Sequence, residues 1–123
     1  MVLLGQERAR FALERIKSGD IGQNGESFKR ALRKLPGNLH TMGLGQTVAV
    51  LLGGEKAEKT VCEWIEQWLR VQTIYPANQS LINCITGSRT EMPDDEIERL
   101  YREASIETRE LAVWLKRFAE AFL

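Results

Sequence analysis

Four cations stand close together in this chain: Lys29, Arg30, Arg33 and Lys34. Side chains three and four apart share a helix face, so Lys29 stacks on Arg33 and Arg30 on Lys34. Phe28, Ala31, Leu32 and Leu35 take the opposite face and point to a core. No acidic residue lies between the four, and like charges at this spacing repel mildly. A helix carrying them suits contact with phosphate oxygens; the plainer alternative is a solvated polar face. Arg8, Arg15 and Lys17 extend the cluster if the first two helices lie side by side. Trp64, Trp68 and Trp114 fall on or near apolar faces, which leaves no evident aromatic for stacking on bases. Any nucleic-acid contact is then to the backbone and indifferent to base sequence.

Catalytic chemistry finds little to work with. His40 is the single histidine and has no triad-like companions. No nucleophile elbow, P-loop or dinucleotide-binding glycine pattern occurs. Gly43-Leu44-Gly45 follows no strand; two glycines in one helical turn instead mark a place where another helix approaches closely, from the same chain or a partner. Asp94, Asp95, Glu96 and Glu98 suit the positive end of a helix dipole, with a carboxylate metal site as the competing reading. Cys62 and Cys84 share no metal-ligand spacing with each other or with His40. They read as reduced packing residues, and a disulfide between them depends on geometry that the sequence does not carry. No catalytic residue, metal or cofactor is expected.

The elements that position these groups are helical. Ala9, Ala12, Leu13 and Ile16 define a first amphipathic helix over 3–17, closed by Gly19, Gly22 and Gly25. Phe28 to Leu35 forms a second. Pro36 disfavours helical geometry at Leu35 and suits the start of a third, which runs to Leu52 before Gly53-Gly54. A fourth, over 56–72, presents Val61, Trp64, Ile65, Trp68 and Leu69. A short fifth spans 78–86, and a long last helix runs from Glu96 to Leu123 without glycine or proline. The fold class is all-α: a single domain over 1–123, built as an antiparallel bundle of about six helices with a long C-terminal helix.

The composition fits such a body. Of 123 residues, 43% are hydrophobic and 28% charged, and 17 basic side chains balance 17 acidic ones. Zero net charge argues against a free-standing binder that relies on bulk charge. The balance conceals an asymmetry: residues 1–54 carry eight basic and four acidic side chains, residues 55–123 nine and thirteen. No signal peptide or membrane span is visible, so a cytoplasmic protein is expected.

Two stretches carry a family likeness. Lys34 to Leu52, with Leu35-Pro36 followed by Gly43-Leu44, resembles the corresponding helix of the small subunit of type III-B CRISPR effector complexes, the fifth family of the Cmr set. Glu110 to Leu123, containing Trp114-Leu115-Lys116-Arg117-Phe118-Ala119, resembles that family's C-terminal helix. The resemblance implies a non-catalytic subunit that stacks with copies of itself beside the other Cmr-complex subunits. It also implies basic side chains that hold the target RNA strand alongside the CRISPR RNA. Lys29, Arg30, Arg33 and Lys34 are then the leading phosphate contacts, with Arg8, Arg15 and Lys17 as extensions and Lys116 and Arg117 as secondary candidates. Two other readings compete: a self-associating helical adaptor using Phe118, Ala119, Phe122 and Leu123, and a metal-dependent enzyme using Asp94, Asp95 and Glu98.

Overall fold

The computed structural model describes residues 3–88 and 91–123. They form five helices: α1 (Leu4–Ile16), α2 (Gly25–Leu52), α3 (Lys56–Val71), α4 (Leu81–Thr86) and α5 (Asp94–Phe122). No strand occurs among the described residues. None of these helices is long and apolar enough to cross a membrane.

The expected break at Pro36 is absent. One helix runs through it, and this is why five helices stand where six were read from the sequence. Proline forfeits one backbone hydrogen bond and crowds the preceding turn. Phe28, Leu32, Leu35 and Leu39 are all buried on either side of it, so core packing holds both halves to one axis. The interruption lies further on, at Gly43, whose φ of 83° and ψ of 172° belong to a region essentially reserved for glycine. Such a kink frees backbone groups of the following turn. The Tyr101 hydroxyl, delivered by α5, accepts from the Gly45 N–H at 3.0 Å. Gly45 is also where Tyr101 and Ile85 come closest: a Cβ there would lie 3.5 Å from both. The close approach foreseen at the two glycines is therefore made within the chain.

A core of aromatic and branched side chains joins the helices. Trp64 and Trp68 of α3 are buried, Phe28 stacking on the first at 5.3 Å and Phe11 tilting onto the second at 5.0 Å. Each indole N–H finds an acid: Trp64 donates to Asp20 at 3.2 Å and Trp68 to Glu107 at 3.1 Å. The α3–α4 connection is tied by Glu66, which accepts from the Leu81 N–H at 2.9 Å and pairs with Arg70 at 3.0 Å.

Helix directions follow from contacts at the ends. Arg8 meets Glu107 and Lys17 lies over Phe122, so α1 and α5 run in the same direction. Phe11 rests on Trp68 whereas Asp20, just past the end of α1, accepts from Trp64 one turn earlier on α3, so α3 runs opposite to α1. α1 and α3 thus point in opposite directions, while α1 and α5 pack in parallel.

Gly43→Ala should destabilise the fold by about 1–3 kcal/mol, because alanine is strained in this backbone region. Tyr101→Phe should cost about 1–3 kcal/mol through the orphaned Gly45 N–H. Urea denaturation checks both; a Gly43→Ala midpoint equal to that of the native chain would contradict the kink.

Candidate nucleic-acid interface

The first limb of α2 sets the site. Its buried row fixes the helix rotation, and rotation alone then turns Arg30, Arg33 and Lys34 to solvent with Lys29 half-buried at their edge. Among the described residues, none of the four makes an ion pair within 4.0 Å. The Arg30 guanidinium has one weak tether, a 3.5 Å contact with the Ser27 hydroxyl. The face continues past the proline: Gly37, His40 and Thr41 are exposed or open on the same side. Placing a helix break at Pro36 cut this face short in the sequence reading; unbroken 3.6-residue periodicity from Lys29 through Arg33 and Gly37 to His40 was the signal that finds it.

Acidic groups border one flank. Arg30 and Lys34 share a groove with Ser27, Ala31 and the first turn of α3, where Glu55 and Glu58 lie. Glu58 is turned back on its own helix and accepts from the Glu55 N–H at 3.3 Å. Beyond that turn, Lys56 and Lys59 are exposed and line a second groove with Asp20, Thr60 and Glu63. In the sequence these two lysines alternate with glutamates, and only the fold sets them in a groove beside Gly19 and Asp20.

The remaining candidates separate from this face. α1 packs along α5 and reaches α3 rather than lying beside α2. Arg8 is committed inward: its Nε lies 2.6 Å from Glu107 Oε1 and its Nη2 donates to Oε2 at 2.9 Å, a two-pronged pair. Glu107 itself is only 8% exposed. The hydrogen bonds from Arg8 and Trp68 hold its carboxyl below the usual range against the opposing effect of burial. Arg15 donates to Gln67 at 3.0 Å and lies 4.9 Å over the Phe11 ring. Lys17 is exposed, with its ammonium 4.8 Å over Phe122. Lys116 is half-buried and Arg117 exposed, both on α5.

Among the described residues, no set of three or more His, Cys, Asp or Glu is placed to hold a metal ion. Asp94, Asp95 and Glu98 are exposed, and Glu96 is paired with Arg99. Cys62 and Cys84 are both free thiols; burial pushes the first up to about 11 and the second also above its ordinary value.

The described residues thus form an all-helical body with a basic face on α2 whose cations make no ion pair within 4.0 Å. The family described as CRISPR-associated protein (Cas_Cmr5) matches this chain over residues 4–122, and the chain belongs to it, as a small subunit of the type III-B, or Cmr, CRISPR complex. No curated protein and no solved structure matches the chain.

Glu107→Gln should remove about 1–3 kcal/mol at neutral pH by leaving the half-buried Arg8 guanidinium without a counter-charge. Because the native carboxyl titrates below its unfolded value, its contribution is complete above the usual carboxylate range and fades as pH falls through the native value. The gap in stability between the native chain and Glu107→Gln should therefore narrow as pH is lowered below about 4. An Arg8→Met, Glu107→Gln double variant should recover much of the loss, since it removes the stranded charge and keeps an acceptor for Trp68. Denaturant unfolding across pH measures all three; a gap independent of pH would refute the pairing.

Proposed function

We propose that this chain is a non-catalytic small subunit of its Cmr complex, stacking with copies of itself and holding the backbone of target RNA on the solvent face of α2. Lys29, Arg30, Arg33 and Lys34 make the phosphate contacts, and His40 and Thr41 continue the track. The observation that supports this reading is the one-sided, unpaired charge of a helix whose other side is fully committed to the core. A polyanion gains from several cations on one rigid rod because the ordering of those side chains is partly prepaid by the helix. The glutamates on the α3 flank limit affinity, so the isolated subunit binds RNA weakly and acts within an assembly. Arg8 and Arg15 serve folding in this account. Lys17, Lys116 and Arg117 lie on other surfaces and make at most auxiliary contacts. Cleavage of RNA belongs to other subunits, and the protein works in the cytoplasm.

Replacing Lys29, Arg30, Arg33 and Lys34 by alanine should leave unfolding unchanged and weaken target-RNA retention by the assembled complex. The salt dependence of retention should also flatten, by roughly 0.7 in slope for each phosphate contact removed. Filter binding over a salt series reads both quantities. Retention and slope identical to those of the native complex would remove the α2 face from the account.

A further inference from the structure

The solvent face of α5 carries a second pattern, different in kind from that of α2. Arg102, Ile106, Arg109, Val113 and Lys116 follow one another at intervals of four, three, four and three residues, and so form one stripe along the helix. The stripe is outward: Ile106 is 52% exposed and Val113 41%, and both arginines are exposed. None of its three cations makes an ion pair within 4.0 Å among the described residues. Phosphates gain nothing from the isoleucine and valine set between the charges. Alternating cationic and branched apolar side chains fit a helix face that alternates acids with apolar groups.

This chain displays such a face. On the outer side of α1, Leu4, Glu7, Phe11 and Glu14 follow at intervals of three, four and three. Leu4 and both glutamates are exposed, and Phe11 is half-buried against Trp68. Val71, 62% exposed, edges the groove that α1 forms with the end of α3. Glu7 and Glu14 are one heptad apart, about 10 Å along the axis, which is also the spacing of Arg102 and Arg109. Arg10 is the cation at the groove, and Glu110 flanks the α5 stripe as a counterpart for it.

We infer that the α5 stripe of one copy docks on the α1 groove of the next, with Arg102 and Arg109 meeting Glu7 and Glu14 while Ile106 and Val113 pack beside Phe11, Leu4 and Val71. The two surfaces belong to different helices with different outward directions, so each copy keeps one free stripe and one free groove. The contact is heterologous and propagates. This inference rests on the stacking part of the proposed function and supplies its interface; it leaves the α2 cations untouched.

The test is a charge exchange at exposed positions, followed by sedimentation velocity at low salt, with thermal unfolding as the check on folding. The native chain should form concentration-dependent oligomers. Arg102→Glu with Arg109→Glu should be monomeric, as should Glu7→Arg with Glu14→Arg. Mixing these two variants should restore the oligomer series with the two alternating, because the stripe of each complements the groove of the other, whereas neither grows alone. Combining all four substitutions in one chain should restore the oligomer series. Native-like oligomers in either double variant, or a native chain monomeric throughout, would overturn the interface while leaving the RNA-retention result on α2 to stand or fall separately. If the Arg102→Glu, Arg109→Glu variant instead loses target RNA in the complex while still self-associating, the stripe is a phosphate contact and the inference is wrong.

Discussion

The arrangement of this small body depends on one charge pair, a buried glutamate and a half-buried arginine. Arg8 of α1 and Glu107 of α5 meet through two hydrogen bonds, and Trp68 of α3 adds a third to the same carboxylate. A single ionised group thereby joins three helices. Burying such a pair is expensive, and its attraction roughly offsets the lost hydration rather than exceeding it. Its consequence is specificity: any register of α1 on α5 that parts Arg8 from Glu107 leaves a buried carboxylate and a half-buried guanidinium unpaired. Fixing that register sets which sides of α1 and α5 face outward, and so sets both the acidic groove and the basic stripe.

A second constraint acts through α2. The helix must pass Pro36 to keep Phe28, Leu32, Leu35 and Leu39 in one buried row, and must then turn at Gly43 to bring Leu44, Val48 and Leu51 into the same core. Tyr101 makes the turn tolerable by accepting the Gly45 N–H. The cations at 29, 30, 33 and 34 gain from this indirectly. They are rigid because the far side of their helix is packed, and among the described residues none of them is spent on an ion pair within 4.0 Å.

Much of this was legible in the sequence because apolar periodicity reports burial. The face Val61, Trp64, Ile65, Trp68 and Leu69 is buried as its spacing indicated, and α3 begins and ends within a residue of the expected bounds. The long uninterrupted α5 follows from the absence of glycine and proline after Pro93. What failed was local punctuation. Proline at 36 and glycine at 43 are both helix breakers by propensity, and only tertiary packing decides which of them breaks. Long-range pairing was also hidden. Nothing near Arg8 in the sequence marks Glu107 as its partner, so Arg8 read as one more exposed cation. Lys56 and Lys59 were missed for the reverse reason: their neighbours in sequence are acidic, while some of their neighbours in space are not.

The family match identifies the chain as part of a Cmr complex and leaves open which of its surfaces meets RNA. Photo-crosslinking of a target RNA to the assembled complex, followed by peptide mass spectrometry of this subunit, addresses that question directly. The account predicts crosslinks on the segment of α2 from Lys29 to Thr41 and none on the segment around Arg8. Crosslinks confined to α1 or α5, or none on this subunit, would contradict it.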